Sequence, residues 1–366
     1  MSKNISVNYE NKPCYNILIR ESFEDLEKYF DDDKSHKYNK VCIVTDSNVS
    51  KLYLKNLYQL LESKFNQVIT FGFEAGEGSK KLSLVEILYE QLIKNQFDRH
   101  DLLIALGGGV VGDMTGFCAA TYLRGIDFIQ VPTSLLSQVD SSIGGKTGVD
   151  FMNYKNMVGA FYMPKLVYIN LEVIKTLPKE QFQSGMGEII KHGCIMNQSY
   201  FQWLRDYSED ILSLNHQALE EMIYQSCLIK RDVVEKDPKE QNIRAYLNFG
   251  HTIGHAVEKL SNFQLFHGQC VAIGIVAAAD LSVKKNMISH KDYENLIDTL
   301  NIFGLPVSIH SYGFPLTAED ILLATKSDKK MNGGQIKFIL LQNVGEAVSV
   351  TTLSDEDILE AIQIIM

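Results

Sequence analysis

Residues 102–113 read LLIALGGGVVGD, and this stretch decides the fold. Leu102–Leu106 is a short apolar run, as expected of a strand covered on both faces. It leads directly into Gly107-Gly108-Gly109-Val110-Val111-Gly112-Asp113. Glycines there allow positive backbone angles and close approach of the chain to a phosphate. The helix expected next would turn free amide groups and a positive dipole end toward a pyrophosphate. The spacing satisfies GxGxxG, a pattern that a tight turn binding nothing can also show.

Working outward, VCIVT (41–45) reads as a buried strand, followed by a helical stretch over 49–61. Residues 67–73 read as another strand, Ser79 as the cap of a helix running to Ile93, and Phe128–Val131 as a fourth strand. Strands alternating with helices imply a parallel α/β sheet. After about Leu177 the pattern changes to long amphipathic runs at 181–194, 217–234, 247–260 and 270–285. A strand pair, 335–341 and 347–351, is expected around Asn343-Val344-Gly345. The expected architecture is an α/β nucleotide-binding domain over 1–177 followed by a mostly α-helical domain over 178–366. Asp127 has the offset of a Rossmann ribose acid but precedes its strand. Asp46, directly after 41–45, is better placed by the rule that ligands bind beyond strand carboxyl ends.

A chain of 366 residues exceeds the size at which one core keeps growing, in keeping with two domains. A formal charge of -10 argues against nonspecific nucleic-acid binding, so an anionic ligand would need a local basic cluster. The polar amino terminus lacks the apolar core of a signal peptide, and the apolar stretch 270–279 is too short to span a bilayer. The six cysteines are scattered without a CxxC pair, which predicts reduced thiols and a cytoplasmic location, with no membrane or nucleic-acid partner.

NFGHTIGH (248–255) places His251 and His255 at i and i+4, on one face of a helix. His267 follows, and Glu188 lies in MGEIIKH (186–192). Imidazoles with one carboxylate suit zinc with an open position. Spacing alone does not choose among His192, His251, His255 and His267. Arg124, Lys146, Lys155, Lys191, Lys230, Arg244, Lys329 and Lys330 fall close to these motifs and together suggest an anionic substrate.

The segment 107–150, with KNMVGAFYMPK (155–165), SGMGEIIKHG (184–193), LNFGHTIGHAVE (247–258) and HGQCVAIG (267–274), closely resembles the 3-dehydroquinate synthases. GEGSKKL (76–82) and DKKMNGG (328–334) add weaker matches. The resemblance implies an NAD-dependent, metal-dependent carbon–oxygen lyase acting on 3-deoxy-D-arabino-heptulosonate 7-phosphate in the shikimate pathway. It further implies a homodimer and an active site between the two domains.

By that resemblance Glu188, His251 and His267 hold a zinc or cobalt ion, with His255 a proton-handling group beside it. Positions matching NAD contacts begin with Asp46, Asn48, Gly76, Glu77 and Lys80. They continue through Gly108, Gly109, Val110, Val111, Gly112 and Asp113 to Thr133, Ser134, Lys146, Lys155, Val173 and Thr176. Substrate positions match at Asp140, Lys146, Asn156, Lys191, Lys230, Arg244, Asn248 and one of Lys329 and Lys330. Arg124 resembles an arginine that reaches the substrate phosphate from the partner subunit. The chain departs from the usual pattern at Ser134, Asp150, His192 and Gln269, the last removing a charge expected near the metal. Competing readings are another sugar phosphate cyclase, such as a 2-deoxy-scyllo-inosose synthase, and a polyol dehydrogenase of the glycerol dehydrogenase type. The pairing of Arg244 with Asn248 and the intact GGKTGV segment (144–149) favour dehydroquinate.

Overall fold

The computed structural model describes residues 2–32, 38–152, 154–329 and 337–366. The chain divides into two compact units, Met1–Leu177 and Pro178–Met366.

The first unit contains strands β1 (Lys3–Tyr9), β2 (Lys12–Arg20), β3 (Lys40–Asp46), β4 (Gln67–Phe73), β5 (Leu102–Gly107), β6 (Asp127–Pro132), β7 (Lys146–Phe151), β8 (Tyr154–Phe161) and β9 (Leu166–Asn170). Its helices are α1 (Glu24–Asp32), α2 (Lys55–Leu61), α3 (Leu82–Lys94) and α4 (Gly109–Thr121). Seven strands form one sheet in the order β1-β2-β9-β6-β5-β3-β4, parallel except for the β1–β2 hairpin; β7 and β8 form a separate antiparallel pair.

The central strands read as unbroken apolar runs because both faces are covered. Val41, Ile43, Leu102, Ile104 and Leu106 enter one core with Leu26, Leu57 and Leu61. Cys42, Val44, Leu103 and Ala105 enter the other with Val85, Leu88, Met114 and Cys118. From β3 the chain moves outward to β4, then returns to β5 and proceeds toward the opposite edge. The reversal of strand order between β3 and β5 opens a crevice at their carboxyl ends, the usual ligand position in such sheets.

The second unit contains α5 (Lys179–Met196), α6 (Gln198–Asp206), α7 (Ser208–Leu212), α8 (His216–Lys236), α9 (His251–Leu260), α10 (His267–Lys284), α11 (His290–Ile302), α12 (Ala318–Lys329), the hairpin β10 (Phe338–Asn343) and β11 (Glu346–Val350), and α13 (Asp355–Ile365). Helix α10 is buried on all sides, rich in Gly, Ala, Val and Ile, and packs against α5, α9, α11, α13 and β10. A helix apolar all round belongs at the centre of its unit. Among the described residues no helix is long and apolar enough to cross a membrane.

Several sequence expectations need correction. Ser79 does not cap α3: its hydroxyl donates to Glu74 O, and the helix begins after Lys81 without a side-chain cap. The stretch 49–61 begins as a π-helical turn, Ser50–Leu54, before α2. The run at 247–260 is not continuous, because a 3-10 turn (Ile243–Asn248) ends there. Gly250, at φ 78°, then redirects the chain into α9. Helix α10 starts at His267, three residues earlier than expected. Residues 335–336 of the expected strand pair lie outside the described residues, as does Lys330. The β1–β2 hairpin, the β7–β8 hairpin and β9 were not anticipated.

Candidate active site

Residues matched to NAD contacts gather beyond the carboxyl ends of the parallel strands. Asp46 ends β3, and its Oδ1 accepts the backbone N–H groups of Asn48 and Val49 at 2.9 Å, fixing the turn toward α2. Gly76, Glu77 and Lys80 follow β4, Thr133 and Ser134 follow β6, and Val173 and Thr176 follow β9. The Tyr53 hydroxyl reaches Val173 O and Thr176 Oγ1, tying that last turn to the one after β3.

Gly108 is the N-cap of α4, and Gly112 N donates to Gly108 O at 3.0 Å. The amides of Gly109, Val110 and Val111 thus form the opening turn, where a helix has no internal acceptors for them. The positive backbone angles that glycine allows are not used at Gly107, Gly108, Gly109 or Gly112. Glycine is needed there for space. A Cβ on Gly107 would lie 2.4 Å from Val111 Cγ2, and one on Gly112 would lie 2.5 Å from Gln130 Oε1. A Cβ on Gly108 meets only Ser134 Oγ, at 3.6 Å, so this position looks onto room for a ligand.

Lys80 is buried and donates to Asp113 Oδ2 at 2.7 Å and to Asn156 Oδ1. Burial opposes its charge, but Asp113, Glu77 and Asp150 outweigh burial and raise its pKa. Asp150 Oδ1 also accepts the Asn156 N–H at 2.8 Å, so this departure from the family pattern anchors the β7–β8 hairpin. Lys146 and Lys155 are exposed on that hairpin, and Asp140 lies in the π-helical turn Ser137–Ser141. Asp127 begins β6 and is engaged by Lys165 and the Tyr38 hydroxyl, away from the strand's carboxyl end.

In the second unit the ligating atoms of His251, His255 and His267 lie within 4.8 Å of one another. Glu188 Oε1 is fully buried, has no hydrogen-bond partner, and lies 3.5 Å from both His251 Nε2 and His267 Nε2. Donors about 2.0–2.1 Å from a tetrahedral zinc stand roughly 3.4 Å apart. Glu188 Oε1 therefore stands from each of these two imidazoles at the spacing such an ion requires.

The outer nitrogens are also engaged. His251 Nδ1 faces Phe249 O at 3.1 Å; a carbonyl only accepts, so Nδ1 carries the proton and Nε2 offers a lone pair. His267 Nδ1 lies 3.6 Å from Glu258 Oε2, a carboxylate behind an imidazole as in many metal sites. Burial raises the Glu188 pKa, but Lys191, His251 and His267 together hold the carboxyl well below the ordinary range. Burial and Lys191 keep His251 well below its ordinary value. At His267 burial is outweighed by Glu188 and Glu258, which lift it to about 9.

His255 remains exposed. His192, left open by spacing, is buried on α5 with Nδ1 2.7 Å from Ser226 Oγ. Gln269, where a charge was expected near the metal, is engaged with the backbone. Its Oε1 accepts the Phe266 N–H at 3.0 Å, capping the first turn of α10.

Lys191, Arg244 and Lys230 are only 1%, 2% and 6% exposed. Lys191 pairs with Glu188 Oε2, and Arg244 Nη1 donates to Pro238 O at 2.7 Å. Asp237 accepts the backbone N–H groups of Gln241, Asn242 and Arg244, fixing the turn that carries Arg244 and Asn248. Three buried cations in one unit suit an anionic ligand. Lys329 is the last residue of α12. The sequence reading missed Glu258, although it lies seven residues after His251 and so on the same helix face. It also missed Asp237, which no spacing rule singles out.

Comparisons with known proteins identify the family. The 3-dehydroquinate synthase N-terminal family matches residues 70–184, and the 3-dehydroquinate synthase C-terminal family matches residues 185–331. A 3-dehydroquinate synthase of Acetivibrio thermocellus is 39% identical over 359 residues, covering 98% of each chain. One of Ruminiclostridium cellulolyticum is 41% identical over 342 residues, covering 93% of this chain and 94% of the relative. A crystal structure of 2-deoxy-scyllo-inosose synthase with carbaglucose-6-phosphate, NAD+ and Co2+ superposes with a TM-score of 0.87 at 25% identity over the full length of both chains. With the two family matches adjoining at residue 185 and relatives aligned almost end to end, the chain belongs to the 3-dehydroquinate synthase family.

Proposed function

We propose that the chain is a 3-dehydroquinate synthase, a carbon–oxygen lyase dependent on NAD and one divalent metal. It converts 3-deoxy-D-arabino-heptulosonate 7-phosphate into 3-dehydroquinate and phosphate. A ring alcohol is transiently oxidised, phosphate is eliminated, the ketone is reduced again, and ring opening is followed by an intramolecular aldol. The observation that carries this reading is the presence of Lys191, Lys230 and Arg244, all buried, in the unit that holds the acid–histidine trio. A neutral polyol calls for no such set of buried cations, whereas a carboxylate-bearing sugar phosphate does.

The first unit binds NAD through the turns after β3, β4, β5, β6 and β9, with the α4 amides facing pyrophosphate. In the second, Glu188, His251 and His267 hold zinc or cobalt, which when bound acts as a Lewis acid on substrate oxygens. Lys146, Asn156 and Arg124 hold the substrate phosphate; Lys230 and Arg244 hold the carboxylate end, with Arg244 fixed by the turn around Asp237. Asp140, Lys191, Asn248 and a lysine at 329–330 complete the substrate contacts, and His255 handles a proton beside the metal.

The protein works as a homodimer in which Arg124 reaches the partner's site. Leu123 and Arg124 both have positive φ (50° and 66°) and exposed side chains, a strained turn of the kind that persists at functional positions. A hybrid of an Arg124→Ala subunit with a Lys146→Ala subunit should regain activity at one site; verified hybrids without activity count against the role in trans. All six cysteines are free and five are buried, which supports a reducing, cytoplasmic setting.

The test supplies NAD far below substrate and follows phosphate and NADH together. Many phosphates per NAD without NADH build-up are expected. Stoichiometric NADH with phosphate retained on the product rejects the synthase in favour of a polyol dehydrogenase.

A further inference from the structure

Each residue of the histidine–carboxylate cluster has a glycine as its chain neighbour. Gly187 precedes Glu188, Gly250 precedes His251, Gly254 precedes His255, and Gly268 follows His267. None of these glycines faces open space. A Cβ on Gly268 would stand 1.9 Å from Ser184 O, and one on Gly187 would stand 2.4 Å from Gly268 O. On Gly254 it would meet Cys270 O at 2.7 Å, and on Gly250 it would meet Val271 O at 2.7 Å. A fifth glycine, Gly274, has no ligand beside it, yet its Cβ would lie 1.8 Å from Gly250 O. The obstacles are backbone atoms, which cannot swing aside as the end of a side chain can. Helix α10 therefore meets both α5 and α9 backbone to backbone. The buried Glu188 Oε1, without a hydrogen bond and 3.5 Å from two imidazole nitrogens, points to a ligand where these contacts converge.

We propose that Gly254, Gly268 and Gly274 are positioning residues of the metal centre, setting the spacing at which ligands from three helices meet one ion. The proposal rests on the reading that Glu188, His251 and His267 hold that ion. Magnitudes make the link. An ordinary Cβ contact is 3.4–4 Å, so a methyl at Gly274 must part α9 and α10 locally, by about 1 Å or more. Metal–ligand distances tolerate only about 0.2 Å. The helices can accept the methyl or keep the ligand spacing, but not both.

Cobalt is titrated into the metal-free full-length protein and into Gly274→Ala, Gly254→Ala and Gly345→Ala. Its visible bands report coordination geometry, and the thermal midpoint is read without metal. Gly345→Ala is the control, since its Cβ would lie 2.5 Å from Gln198 N in the same unit with no metal ligand beside it. The expected result is a roughly 10–100-fold loss of cobalt affinity and altered bands in Gly274→Ala and Gly254→Ala. Gly345→Ala should melt lower but bind cobalt as the wild type does. A folded Gly274→Ala or Gly254→Ala with wild-type affinity overturns the proposal, and so does an equal loss in Gly345→Ala. Should Gly274→Ala fail to unfold cooperatively, Gly254→Ala, with the milder obstacle, decides. His251→Ala is carried in parallel: unchanged cobalt binding there defeats the ligand assignment itself, a different failure from wild-type affinity in the glycine variants.

Discussion

In the first unit, three glycines beyond the strand ends, Gly76, Gly78 and Gly108, look onto space. A Cβ at Gly76 or Gly78 meets nothing within 4 Å, and one at Gly108 meets a single hydroxyl at 3.6 Å. In the second unit, the glycines beside Glu188, His251, His255 and His267 look onto another helix's backbone. Both sets admit a close approach, but by different objects. Around the crevice between β3 and β5 the missing side chain leaves room for a ligand that arrives later. Around α10 it leaves room for the protein itself. A methyl group should therefore act on binding alone at Gly108, and on the architecture of the site in the second unit.

The largest effect is expected at Glu188, where architecture and chemistry coincide. Glu188→Ala removes the proposed metal donor and strands the buried Lys191 ammonium. Metal occupancy and turnover should vanish together, and stability should fall by about 3–5 kcal/mol, measured by metal analysis and denaturant titration. A variant with full metal content would dissolve the contrast between the two units. Gly108→Ala comes next. Its stability should change by less than about 1 kcal/mol, while NAD binding weakens about tenfold or more as the amides of the α4 turn lose their close approach. Equilibrium dialysis with NAD checks this.

A smaller effect is expected at Asp237, whose carboxylate holds the turn bearing Arg244 through three backbone N–H groups. Burial raises its pKa, but those hydrogen bonds and Arg244 hold it below the ordinary value. A depressed folded pKa contributes stability present above the unfolded value, near 3.9, and lost as pH falls through the folded one. Asp237→Asn should therefore cost about 1–2 kcal/mol at pH 7, with the gap closing below about pH 4. A gap independent of pH would show that the carboxylate charge plays no part. The smallest effect on metal content is expected at His255: His255→Ala should retain its ion while turnover falls, and loss of the ion would make His255 a ligand.

The same contrast explains what was legible in the sequence. Leu102–Leu106 and Val41–Thr45 announced themselves because both faces are buried, leaving no polar residue to interrupt the run. The β1–β2 and β7–β8 hairpins are half exposed, and in β1 Ile5 and Val7 alternate with polar neighbours, which gave a weaker signal. Among site residues, the helical spacing of His251 and His255 could be read directly. The choice among four histidines could not, because it depends on where His192 turns: toward Ser226. That Gln269 caps the first turn of α10 could not be read, because a motif carries no information about which neighbour a side chain bonds. The glycines at 187, 250, 254 and 268 were visible as letters, but their purpose lies in backbone contacts between segments far apart in the chain.

The most direct test is a pair of titrations, NAD and zinc, performed on both Gly108→Ala and Gly254→Ala. Gly108→Ala is expected to lose NAD affinity and keep zinc affinity, and Gly254→Ala to lose zinc affinity and keep that for NAD. Two variants that each lose both affinities alike would contradict the division between glycines that admit a ligand and glycines that admit a helix.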